Sequence, residues 1–118
     1  MLPNSFKQAY NQQRQRDPLF GAKSGISVHE WWSKVIVDTL EASHTGNQQL
    51  GGIKMKKICD TCIQEFSTSK YVEWKLGAYE LIRTLKRSNC VLAVMSNSDD
   101  RTRLILRDLG KSKRDNYF

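Results

Sequence analysis

Residues 91–101 read VLAVMSNSDDR: five apolar side chains run into serine, asparagine and aspartate with no glycine or proline between them. An apolar run without alternation predicts a strand covered on both faces, as in a parallel sheet packed between helices. Ligands of such sheets lie beyond the carboxyl ends of the strands, and Ser96 and Asn97 occupy that end. A helix expected to start within about three residues turns its unpaired amides into the same crevice, which suits a phosphate. The plainer reading is a helix cap, with Ser96, Ser98 or Asp99 accepting from first-turn amides.

Upstream of this run the pattern is almost wholly helical. SFKQAYNQQRQR at 5–16 predicts a short polar helix with Phe6, Ala9 and Tyr10 inward, broken at Asp17-Pro18. Ser27 and Glu30 form a capping box. Behind it Val28, Trp31, Trp32, Val35, Ile36 and Leu40 keep helical spacing over about 28–43. A third helix is predicted over about 53–67, with Ile58, Cys62 and Phe66 on one face. These three helices are expected to share a core of Trp31 or Trp32 with Val35, Ile36, Ile58, Cys62 and Phe66. A fourth helix over about 77–88 turns Ala78, Leu81, Ile82 and Leu85 inward and ends at Asn89. A fifth runs from about Asp99 to Leu109, with Gly110 as its cap. With the strand at 91–95 between the last two, the predicted fold class is α/β and helix-rich.

Composition narrows the function classes. With 118 residues the chain is long enough for one domain of ordinary size. Its net charge of +7 is dispersed over Lys54, Lys56 and Lys57, over Lys86 and Arg87, and over the last helix and the tail. No nucleic-acid recognition motif accompanies it, so the charge reads as a solvated surface and nucleic acid is not an expected partner. No apolar run approaches the roughly 20 residues of a membrane helix, and the first residues, MLPNSFKQAY, lack the apolar stretch of a secretory signal. An intracellular setting follows as the expectation, the cytosol by default, with the nucleus or mitochondrion as alternatives. The three cysteines, Cys59, Cys62 and Cys90, do not make a disulfide framework. Cys59 and Cys62 fall inside the third helix, where core packing is expected and a zinc site is not. The phosphate-loop pattern GxxxxGK[ST] is broken at Gly52, where its lysine should stand, and at Ile105, where its first glycine should.

FKQAY at 6–10, HEWW at 29–32 and the stretch W-x-x-GAYELIRTLKRSNCVLAVMSNSDDR from Trp74 carry a further signal, continued by Arg103-Leu104, Ile105-Leu106, Leu109-Gly110 and Tyr117-Phe118. In these segments the chain resembles the haloacid dehalogenase-like hydrolase superfamily. The second motif of that family is an apolar strand ending in serine or threonine, commonly followed by asparagine; Ser96 and Asn97 match it, and Asp99 and Arg101 match the SN-x-D-x-R pattern of a closer group within it. The resemblance implies a helical cap over 1–70 and, over 71–118, a helix–strand–helix part of a Rossmann-like core. It implies a phosphatase-type hydrolase acting on a phosphorylated small molecule. An aspartate nucleophile would be assisted by Mg²⁺, Ser96 would bind the transferring phosphoryl group, and Asn97 would line the pocket.

The departures from the family are as informative. No DxD occurs in this sequence, and none of its C-terminal lysines or acids has the context of the family's third and fourth motifs. The chain therefore reads as a central slice of such a hydrolase. Alone it is expected to be inactive, to bind no Mg²⁺, and to self-associate through exposed core faces. The competing reading is a non-enzymatic helical interaction module with a basic surface.

Overall fold

The structure, a computed structural model, describes residues 2–43 and 51–111. Among the described residues five α-helices follow in order: α1 (Leu2–Arg16), α2 (Val28–Ser43), α3 (Gly52–Glu65), α4 (Ala78–Arg87) and α5 (Arg101–Lys111). Short 3-10 turns lie at Leu19–Gly21 and Ser69–Tyr71. The chain divides into two compact units, residues 1–64 and 65–118.

In the first unit α1 and α2 bury facing stripes at four-residue spacing: Ser5, Ala9 and Gln13 on α1, and Trp31, Val35 and Thr39 on α2. Small side chains on α1 leave room for the indole of Trp31, which is 0% exposed. Tyr10, Phe20, Ile26 and Trp32 pack around this core. The rings of Tyr10 and Phe20 meet Trp31 edge-on at centroid distances of 5.7 and 5.1 Å, a favoured aromatic arrangement. The expected start of α2 is found: Ser27 Oγ accepts from the Glu30 amide at 3.0 Å. The Glu30 carboxylate reaches Lys34 at 3.7 Å.

The link from α1 to α2 is a tight left-handed passage. Leu19, Phe20 and Gly21 all have positive φ, at 56°, 54° and 82°, which costs a residue with a Cβ roughly 1–2 kcal/mol. The passage is held by Trp31 Nε1, which donates to the Asp17 carbonyl at 2.8 Å, and by Gln13 Nε2, which donates to Asp17 Oδ2 at 2.8 Å. A Cβ on Gly21 would sit 2.3 Å from Ile26 Cγ1.

In α3 the buried residues are Cys59 and Ile63. This corrects the expected inner face: Ile58 and Cys62 are half-buried, and Phe66 is 55% exposed. The two candidate stripes lie one residue apart, about 100° around the helix, and both contain apolar side chains. Cys59 Sγ lies 3.8 Å from the Ser33 carbonyl, and Asp60 pairs with His29 at 2.9 Å, so it is the Cys59 side that faces α2. Phe66 lies past the helix end and packs on Tyr71 at 4.9 Å.

In the second unit the Ser69–Tyr71 turn is tied to α5. The Ser69 amide and hydroxyl both donate to Asp108 Oδ2 at 2.8 Å. Helix α4 closes as a Schellman motif: Asn89 takes φ 57°, its amide reaches the Lys86 carbonyl, and the Cys90 amide reaches the Leu85 carbonyl. Gly110 lies inside α5, which continues to Lys111, and so does not cap it.

The α/β expectation fails at residues 91–95. No strand and no sheet occur among the described residues; the architecture is helical, and the Rossmann-like core is absent. VLAVM links α4 to α5 without regular structure, with Val91 98% and Met95 100% exposed. A strand exists only through ladder bonds to a neighbour, and no second segment of the described chain supplies one. The apolar run has the composition of a buried strand but lacks the surroundings of one.

Candidate functional site

Between the 91–98 segment and the first turns of α5 lies a crevice of about 390 Å³. Ser96, Ser98 and Thr102 bring three hydroxyls to one end of it. Ser96 Oγ and Ser98 Oγ are 2.8 Å apart, and Ser98 Oγ is also hydrogen-bonded to Thr102 Oγ1. The sequence folds this way because Asp99 caps α5: its Oδ1 accepts from the Arg101 amide at 3.0 Å, and its carbonyl accepts from the Thr102 amide at 3.2 Å. The same carboxylate grips the Arg101 guanidinium in a two-point pair, at 2.8 Å from Nε and 2.7 Å from Nη2. With a side chain only 4% exposed, Asp99 is a fixed corner of the crevice.

Leu92, Val94 and Leu106 form an apolar wall, and Arg103 and Arg107 line the side running down α5. Thus Ser96, singled out from the sequence, lines the crevice at the α5 end. Asn97 is exposed and is not part of the lining. Sequence reasoning missed Thr102, Arg103 and Arg107. Their positions at four- and five-residue intervals from Ser98 and Thr102 were the available signal, legible once a helix start at Arg101 is known.

Other titratable groups are engaged locally. Lys56, and then His29, hold the Asp60 carboxyl below its ordinary range. Hydrogen bonds from Lys70 and then Tyr71 do the same for Glu65. Burial pushes the Cys59 thiol up, away from the thiolate that a reactive or metal-binding cysteine needs. Among the described residues no group of three or more histidine, cysteine or acidic side chains could hold a metal ion. Asp99, the carboxylate among the crevice-lining residues, is paired with Arg101. No described helix is long and apolar enough to cross a membrane.

No family model matches the chain. Individual proteins do. It is 29% identical over 109 residues to haloacid dehalogenase-like hydrolase domain-containing protein 3 of Bos taurus, covering 92% of this chain and 42% of that protein. The Mus musculus protein of that name is 28% identical over the same shares. The Xenopus tropicalis one is 27% identical over 100 residues, covering 85% of this chain and 51% of its own length. The chain thus spans about half or less of the curated relatives it matches. Along nearly all of its own length it is similar to haloacid dehalogenase-like hydrolase domain-containing protein 3, the relationship to which HEWW, Ser96 and Asn97 point.

Proposed function

We propose that the chain is the phosphate-recognition part of a phosphatase-type haloacid dehalogenase-like hydrolase, and that by itself it binds a phosphoryl group without turning it over. The observation carrying this reading is the hydroxyl cluster of Ser96, Ser98 and Thr102 at the start of α5, in a chain whose curated relatives carry that hydrolase name. Hydroxyl donors are groups from which a phosphoryl oxygen accepts; the amides of Arg101 and Thr102 are already taken by Asp99, so recognition rests on the hydroxyls. Ser96 is the principal donor, and Asn97 is its exposed neighbour in the same segment. Turnover is missing because the sequence contains no DxD nucleophile motif, and positioning and electrostatic stabilisation act only on a reacting pair of groups.

The experiment is a titration of residues 1–118 with propyl phosphate, followed by amide chemical shifts, alongside an assay of a generic phosphate ester with Mg²⁺. Shifts confined to 96–103 and abolished by Ser96→Ala, with no hydrolysis, are the expected result. Hydrolysis lost on Ser96→Ala would overturn the inactivity. A titration that leaves 96–103 unmoved would overturn phosphate recognition.

A further inference from the structure

One feature of the crevice is not used by a single phosphoryl group. Arg103 and Arg107 stand four residues apart on α5 and both line the cavity, so they share one helix face. No ion pair to a described residue engages either of them. Of the nearby acids, Asp99 is committed to Arg101 and Asp108 to the Ser69 amide and hydroxyl, and the exposed Asp100 makes no ion pair with either arginine. Like charges at this spacing repel and destabilise a helix, so an anion between them relieves a repulsion. Arginine's planar fork suits a phosphate in two-point contact.

The spacing sets the kind of anion. Arg107 lies five residues beyond Thr102, about 7–8 Å along the helix axis, which leaves room for a second anionic group on the arginines while the first stays on the hydroxyl cluster. The stretch between is walled by Leu92, Val94 and Leu106, which suits a short carbon spacer. A volume of about 390 Å³ falls in the range of small-ligand pockets.

We propose that Arg103 and Arg107 form a second anion subsite, and that the crevice takes a short-chain bisphosphate, with one phosphoryl group on Ser96, Ser98 and Thr102 and the other on the two guanidinium groups. This rests on the hydroxyl end being a phosphate site, as proposed above. Arg103 and Arg107 then set substrate class without touching the transferred group.

The test compares calorimetric titrations of residues 1–118 with the bisphosphate of a three-carbon diol and with propyl phosphate. Charge-assisted contacts of this kind predict that the bisphosphate binds about tenfold or more tighter. Arg107→Gln and the double variant with Arg103→Gln should bring that advantage below about threefold, the bisphosphate losing more affinity than propyl phosphate. The control Lys54→Gln with Lys57→Gln removes equal charge at residues that are not in the crevice lining and should keep the advantage. Circular dichroism establishes that each variant is folded, and the single Arg107→Gln variant decides the matter if the double one is not. Equal binding of the two ligands, or an equal loss in the lysine control, would overturn the second subsite and leave phosphate recognition standing. Failure of propyl phosphate to bind would overturn phosphate recognition itself, and the two-site assignment with it, even if the bisphosphate still held to the arginines.

Discussion

Asp17 shows how much one residue organises. Its carbonyl receives the Trp31 indole N–H, its carboxylate receives Gln13, and Lys34 stands 3.6 Å away. The hydrogen bond from Ser24 is the largest influence holding its carboxyl below the ordinary value of 3.8, with Gln13 and Lys34 adding to it and burial opposing. A carboxyl depressed in the folded state contributes stability that is full above the ordinary value and lost as the pH falls through the folded one. The thermal midpoint should therefore drop on acidification from about pH 5 to about pH 3, and less steeply in Asp17→Asn, as scanning calorimetry would record. Gly21 tests the same passage. Gly21→Ala combines a positive φ of 82° with a Cβ aimed at Ile26, and should cost about 1–3 kcal/mol in urea unfolding. A change within experimental error would mean the passage is not held as tightly as its hydrogen bonds indicate.

At the scale of elements, helix α3 offers the sharpest discrimination. If Cys59 and Ile63 face α2, Ile63→Ala should cost about 2–4 kcal/mol, the loss typical of a buried isoleucine, and Ile58→Ala clearly less. The reverse order would restore the face expected from spacing alone. The boundaries of the helices were legible beforehand because they rest on local chemistry: Asp17-Pro18 after α1, Ser27 before α2, Asn89 after α4. The face of α3 was not legible, because two adjacent apolar stripes satisfy the same periodicity and only the neighbouring helix chooses between them. Gly110 misled for a related reason. A glycine permits a helix to stop but does not compel it, and α5 runs through it.

For the whole molecule the open question is the exposed apolar surface. Val91, Met95 and Leu76 are essentially fully exposed, and Leu81 and Leu104 about half. A patch of this kind, beside a segment with no ladder bonds, favours association with another copy. Light scattering should show the mass of residues 1–118 rising with concentration, and Val91→Lys with Met95→Lys should suppress the rise. A constant monomer mass would reject self-association.

What the sequence determined by itself is what acts over a few residues: caps, breaks, the buried indole of the HEWW stretch, and Ser96 ahead of a helix start. The apolar stripe on α2 was enough to put Val35 and one of Trp31 and Trp32 in the core, but packing against α1 decided for Trp31 and left Ile36 half-buried. Tertiary structure decided whatever depends on a neighbour. It turned Cys59 inward rather than Cys62, brought Thr102, Arg103 and Arg107 to the crevice beside Ser96, and left VLAVM without a ladder. The physical reason is that a helix satisfies its backbone within itself, whereas a strand borrows its hydrogen bonds from another segment. A local pattern can therefore specify α2 but can only make residues 91–95 ready for a sheet.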